Sequence, residues 1–273
     1  MLHEKIHLNE FYNLENDPCI EISVPFNKVN MTREKSKAII VVPGGAYTVV
    51  SGTEADPVAL SYMLEGFITI ILHYSVKTAY PTPMKELACA IDYLRKNCNK
   101  YYIDKDKISI IGFSAGGHLT ASYGYLYKHP DFIDEVNLNP EEIKPNCIVL
   151  SYPVISMGEY THKDTRKNIT GGNEDLYNLL SAEKNIDVSY PPTFIWTTME
   201  DKSVSYINSV LFVDGLKANN VKHEFFLYPY LNHALSVINP LMYSKELLED
   251  EKMIEVSKWF NKSVNFIKET LDN

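Results

Sequence analysis

Apolar residues recur along this chain in two patterns. Short unbroken runs of apolar and β-branched residues occupy positions 37–42, 67–72, 107–112, 147–151, 193–197 and 223–227. Continuous runs of that length predict strands buried on both faces, and the first is closed by Pro43-Gly44-Gly45. Between them, apolar positions fall three and four apart. Residues 57–65 carry Val58, Leu60 and Leu64, and residues 84–97 carry Leu87, Cys89, Ala90, Ile91 and Leu94. Further helices are predicted over 116–127, which is rich in small residues, and over 205–218 and 253–271. Strands alternating with helices imply the α/β class: a mostly parallel sheet with helices on both faces. Residues 19–24 alternate with period two and predict an antiparallel edge strand ahead of the main sheet.

Residues 152–192 break the pattern, with Gly158, Gly171-Gly172 and Pro191-Pro192. The stretch is too long for a bare strand-to-helix connection and is expected to carry short helices over the carboxyl edge of the sheet. With no internal repeat and no Pro/Gly/Ser linker, the expected organisation is one domain over 1–273. A small partial cap is expected at about 155–190.

Composition narrows the function. The 273 residues are 45% hydrophobic and 22% charged, which excludes wholesale disorder and fibrous repeats. Basic residues number 26 against 35 acidic, a net charge of −9. The densest basic stretch, 97–107, also holds Asp104 and Asp106. No basic face is evident, so nucleic acid and anionic membrane are not expected partners, and a small neutral or weakly charged substrate is. The start, Met1-Leu2-His3-Glu4-Lys5-Ile6-His7, lacks the apolar core of a secretory signal. No apolar run approaches the roughly 18 residues of a membrane span. Cys19, Cys89, Cys98 and Cys147 form no C-x-x-C pair and have no histidine at zinc spacing. A soluble cytoplasmic protein with free thiols is expected.

The third long run leads directly into Gly112-Phe113-Ser114-Ala115-Gly116-Gly117-His118-Leu119. G-x-S-x-G between strand and helix describes a tight turn that lifts a serine hydroxyl above the sheet, with no room for side chains two residues either side. Such a hydroxyl is a weak nucleophile unless a base, oriented by a third group, takes its proton. In this topology the order should be serine, acid, histidine. Glu200 and Asp201 follow the 193–198 strand, and His233 follows the 223–227 strand. Asp201 is preferred over Glu200 because the shorter carboxylate more often fills this role. An oxyanion would need backbone donors: the Ala115 amide, and one from the loop Val42-Pro43-Gly44-Gly45-Ala46-Tyr47. A phosphate cradle is not supported, since neither G-x-x-x-x-G-K-[ST] nor G-x-G-x-x-G occurs there. Gly44, Tyr47 and His73 are candidate substrate contacts. His118 is read as a packing or capping residue, and Glu54 and Asp56 as helix-capping acids.

These residues make the chain resemble the α/β-hydrolase superfamily, over about residues 37 to 240. More narrowly it is similar to the acetyl-esterase and carbohydrate (acetyl-xylan) esterase-like group related to hormone-sensitive-lipase-like esterases. The oxyanion loop, Leu72-His73-Tyr74-Ser75-Val76 with Tyr80-Pro81, the elbow, Ser151-Tyr152-Pro153 and Pro191-Pro192-Thr193-Phe194 carry the likeness. It implies a three-layer α/β-hydrolase fold with Ser114 as nucleophile, Asp201 as acid, His233 as base, and Gly45 and Ala115 as oxyanion donors. The chain departs from the group at three places. Ala46 stands where glycine is usual, Trp196-Thr197-Thr198 where a histidine is common, and Asn232-His233-Ala234 where the base usually sits between glycines.

The expected activity is hydrolysis of short-acyl, acetyl-type esters of sugars or small alcohols through an acyl-enzyme, with no metal or organic cofactor. The 152–192 stretch lacks the long apolar lid that lipid chains would need. A short-peptide serine peptidase of the same fold and a non-catalytic small-ligand binder are the alternatives. Homodimers are common in the group, but no exposed apolar stretch in the sequence establishes one here.

Overall fold

The computed structural model describes residues 1–25 and 35–272. Its strands are β1 (Leu2–His7), β2 (Cys19–Val24), β3 (Ser36–Val42), β4 (Ile68–His73), β5 (Ile103–Phe113), β6 (Cys147–Ser151), β7 (Thr193–Thr198) and β8 (His223–Tyr228). They form one eight-stranded sheet in the order β1-β2-β4-β3-β5-β6-β7-β8. β1 and β2 pair antiparallel, β2 runs antiparallel to β4, and every other pairing is parallel. The expected antiparallel strand at 19–24 is β2. It lies inside the sheet rather than at its edge, because β1 pairs along its outer side, from Leu2 opposite Val24 to His7 opposite Cys19.

The central strands are largely apolar because both faces are covered, with Thr69 and Ser109 as buried polar exceptions. Successive residues of β3 serve opposite layers: Ile40 and Val42 join one core, and Ile39 and Val41 the other. The first core lies against α2 (Thr82–Lys96), α3 (Ser114–Leu126) and α8 (Ile207–Ala218), with Leu87, Ile91, Leu119 and Phe212 fully buried. The second lies against α1 (Asp56–Leu64) and the C-terminal α10 (Glu251–Leu271). There Trp259 of α10 stacks on Trp196 of β7, ring centroids 4.9 Å apart and planes within 16°. Each fully buried aliphatic or aromatic side chain contributes about 1.5–3 kcal/mol, so this double coverage supplies the rigid frame from which the strand ends project. All four cysteines are buried and unpaired.

The remaining helices are short: α4 (Pro130–Val136), α5 (Pro140–Ile143), α6 (Lys163–Thr170), α7 (Leu176–Leu179) and α9 (Lys245–Leu248). Two of them, α6 and α7, lie in the insertion between β6 and β7, with a 3₁₀ turn at Ala182–Lys184. The insertion is held from below by Asn208 at the start of α8. Its Oδ1 accepts from the Ile155 and Ser156 amides, both at 3.0 Å, and its Nδ2 donates to the Tyr160 carbonyl. Among the described residues, no helix is long and apolar enough to cross a membrane.

Candidate active site

The turn between β5 and α3 carries Ser114 at φ 51°. A non-glycine residue there is strained by about 1–3 kcal/mol, and the surroundings impose that geometry. A Cβ on Gly112 would lie 2.3 Å from Thr120 Oγ1, and one on Gly116 would lie 2.2 Å from the Val42 carbonyl oxygen. The Ser114 carbonyl in turn accepts the Val154 amide at 3.0 Å, tying the turn to the loop after β6.

Two later strand ends complete a hydrogen-bonded line. His233 Nε2 lies 2.8 Å from Ser114 Oγ, and His233 Nδ1 lies 2.6 Å from Asp201 Oδ2. The Asp201 side chain is fully buried, that of His233 15% exposed. Asp201 Oδ1 accepts the amides of Ser203 and Val204, at 2.9 and 2.8 Å. The two backbone amides orient the carboxylate toward Nδ1, and the Nδ1–H tautomer would leave Nε2 free to accept from the serine hydroxyl. Glu200 is occupied elsewhere: its Oε2 accepts the Leu231 amide at 3.0 Å. Asp201 is therefore the acid that meets the histidine.

The histidine loop has no glycine, yet Leu231, Ala234 and Ser236 stand at φ 74°, 63° and 51°. Specific partners hold this backbone. Glu200 takes the Leu231 amide, Asn232 Oδ1 takes the Lys202 amide at 3.0 Å, and Tyr152 Oη takes the Ser236 amide at 2.9 Å.

The loop after β3 passes directly beside Ser114. A Cβ on Gly44 would stand 2.9 Å from the Ser114 Cβ. The Gly44 amide is committed to Glu54 Oε2 at 2.8 Å, so it is not free to meet a ligand. Ala46 departs from glycine but adopts the glycine-like φ of 54°. Its carbonyl accepts from Asn168 Nδ2 of α6 at 2.8 Å.

The other sequence candidates lie elsewhere. Tyr47 is fully buried, with its hydroxyl 2.9 Å from His118 Nδ1, so its side chain braces the loop from inside the core. His118 is also fully buried; its Nε2 lies 2.8 Å from the Leu180 carbonyl oxygen, and burial lowers its pKa to about 4. His73 ends β4 with its Nε2 3.3 Å from Glu21 Oε1, across the sheet from β2 and apart from the serine–histidine line. Glu54 is not a capping acid: the residue at the start of α1 is Ala55, with no side-chain cap, and Glu54 is buried beneath the loop after β3. His162 gave no sequence signal. It caps α6 by accepting the Thr165 amide, and the charges of His233 and Asp201 both reach it. Among the described residues, no group of three or more His, Cys, Asp or Glu is arranged to hold a metal ion.

Solved structures share this architecture. An acetyl ester-xyloside bifunctional hydrolase from Caldicellulosiruptor lactoaceticus superposes with a TM-score of 0.78 at 31% identity, over 96% of this chain and 97% of that one. A carboxylesterase from Lactobacillus plantarum superposes with a TM-score of 0.86 at 25% identity, over 98% of each chain. Among curated proteins, endo-1,4-beta-xylanase B of Butyrivibrio fibrisolvens is 32% identical over 77% of this chain and 34% of its own length. The acetylxylan esterase of Xylanibacter ruminicola is 26% identical over 78% of this chain and 44% of its own length. The chain thus spans about a third to under half the length of these two curated relatives. The BD-FAE family model matches residues 26–216. That match covers most of the β/α core and includes the serine elbow, and with it the chain belongs to the BD-FAE family of α/β hydrolases.

Proposed function

We propose that this protein is a serine esterase that removes short acyl groups, acetyl above all, from sugars or small alcohols. The observation that carries the reading is the continuous line from Ser114 Oγ through both nitrogens of His233 to the buried Asp201. In the proposed reaction Ser114 Oγ attacks the ester carbonyl carbon while His233 Nε2 takes its proton. The carbonyl oxygen, now an oxyanion, receives the amides of Gly45 and Ala115. The C–O bond to the alcohol then breaks, His233 gives its proton to the departing oxygen, and an acyl-serine remains. Water, deprotonated by His233, attacks that acyl group and releases acid and free serine. Asp201 keeps the Nδ1 tautomer in place and stabilises the imidazolium in both half-reactions.

Two considerations favour a short acyl group. The insertion between β6 and β7 is built from helices of eight and four residues, which we read as a partial cap on a single domain rather than a lipase-type lid. The relatives include an acetylxylan esterase and an acetyl ester-xyloside bifunctional hydrolase, which supports acetylated carbohydrate as the substrate class.

The test is hydrolysis of p-nitrophenyl acetate, butyrate and octanoate by wild type and Ser114→Ala. Acetate should be cleaved fastest, and the variant should lose about 10⁴-fold or more. Equal rates in the two proteins would overturn the reading, and a preference for octanoate would overturn its short-acyl part.

A further inference from the structure

Glu54 is a carboxylate that the proposed reaction does not use, yet it lies at the junction of the loops that build the site. It is 2% exposed, in the 3₁₀ turn Gly52–Glu54 that follows the loop after β3. Oε2 accepts the Gly44 amide at 2.8 Å, and Oε1 accepts the Tyr152 hydroxyl at 2.8 Å. Tyr152 Oη itself accepts the Ser236 amide at 2.9 Å, three residues beyond His233. The Tyr152 ring meets the His233 imidazole edge-on, centroids 4.9 Å apart. A last bond runs from Ser236 Oγ to the carbonyl of Thr53, the neighbour of Glu54, at 2.6 Å. One carboxylate therefore joins the loop after β3, the loop after β6 and the histidine loop.

The bonding also bears on its protonation. Gly44 offers only a donor, and Tyr152 Oη, already accepting from Ser236, turns its hydrogen toward Glu54. Two donors directed at the two carboxyl oxygens suit an anion. Burial leaves this carboxyl above the ordinary carboxylate range, outweighing the Tyr152 hydroxyl, the Gly44 amide, the charge of His233 and the Ser51 hydroxyl, which all lower it.

We propose that Glu54 is a positioning residue. It locks the oxyanion-side loop to the histidine loop and places a second buried negative charge, beside that of Asp201, where it favours protonated His233. This rests on the serine-esterase reading above. The other ionisable groups around His233 are Asp201 and Glu200 on the loop after β7, Tyr152 after β6, and His162 in the insertion. None of them contacts the Gly44 loop as Glu54 does.

Glu54→Gln tests this: an amide keeps an oxygen for Gly44, while its NH₂ faces Tyr152 Oη, so the charge and the acceptor for the tyrosine hydrogen are lost together. With p-nitrophenyl acetate, kcat should fall about 10- to 100-fold while KM changes by less than about threefold. The acid limb of the kcat/KM profile should move to lower pH, since His233 loses a charge that favours its protonation; a purely structural role would leave that limb in place. Unchanged kcat and an unmoved limb, with Ser114→Ala inactive beside it, would overturn the role of Glu54 alone. Full activity in Ser114→Ala would overturn the site reading and this inference with it. Should Glu54→Gln fail to fold, Tyr152→Phe decides: it cuts the link to the histidine loop and should lower kcat about tenfold at constant KM. A wild-type kcat there would overturn the proposal.

Discussion

Asn168 Nδ2 donates to the Ala46 carbonyl at 2.8 Å, so a side chain from the insertion holds a loop residue at φ 54°. An alanine costs about 1–2 kcal/mol in that region relative to ordinary backbone, and without an anchor this loop would relax. The same amide nitrogen lies 3.0 Å from Thr48 Oγ1, two residues further on. Asn168→Ala is expected to lower kcat for p-nitrophenyl acetate by about tenfold with little loss of thermal stability, as displaced donors cost rate steeply. Asn168→Asp should not rescue, since a carboxylate cannot donate to the carbonyl. Steady-state kinetics on both variants check this, and wild-type kcat in Asn168→Ala would contradict it.

Asp201 and Glu200 are neighbours with different duties. Asp201 faces the imidazole, whereas Glu200 holds the Leu231 backbone. Asp201→Asn should cost about 10⁴-fold in kcat by presenting the wrong partner to Nδ1. Glu200→Gln keeps an acceptor for Leu231 and should remain within about threefold of wild type, as expected for an exposed hydrogen bond. Comparable losses in the two variants would refute the assignment.

Gly44 has no space for a side chain. Its added Cβ would lie 2.8 Å from both the Phe113 carbonyl oxygen and Glu54 Oε2, and 2.9 Å from the Ser114 Cβ. Two of these three neighbours belong to the elbow, so the loop would have to retreat from the serine. Gly44→Ala is expected to fold, since the clash is local to one loop, and to lose about 100-fold or more in kcat/KM. Circular dichroism and kinetics on the same sample check both halves.

His118 carries a pH signature. Its pKa in the fold is lowered to about 4 by burial, below the ordinary histidine value of 6.5. The unfolded chain therefore binds the extra proton first. The stability this residue contributes is whole above about pH 6.5 and is lost as pH falls toward 4, up to about 3 kcal/mol. Urea unfolding at pH 7.5 and pH 4.5 should show wild type losing more stability than His118→Gln. Equal losses would count against a neutral His118 bridging Tyr47 and Leu180.

The strand and helix pattern was readable because the central sheet is apolar on both faces, and six strands fall where unbroken runs predict them. β1 was not readable: Leu2 and Ile6 alternate with His3, Glu4 and Lys5, a half-exposed pattern that looks like a polar terminus. That Ser114, an acid at 200–201 and His233 would meet was legible from the G-x-S-x-G turn and the order of the later strands, while Asp201 over Glu200 rested on the shorter carboxylate. What joins them was not. Glu54 in Gly52-Thr53-Glu54-Ala55-Asp56-Pro57 reads as a helix start, and only the tertiary fold places it under Gly44. The left-handed residues of the histidine loop, Leu231, Ala234 and Ser236, were equally silent, because no glycine marks them and long-range partners hold Leu231 and Ser236. His73 was misleading for a related reason. A histidine at a strand end suggests a pocket, but its register opposite Cys19 turns it to Glu21.

The central claim, that Ser114 is the nucleophile activated by His233, is tested most directly by fluorophosphonate labelling. Intact mass and peptide mapping would follow wild type, Ser114→Ala and His233→Ala. One adduct on Ser114 in wild type, none in Ser114→Ala and greatly slowed labelling in His233→Ala is the result this account predicts. An unlabelled wild type, or an adduct that persists in Ser114→Ala, would contradict it.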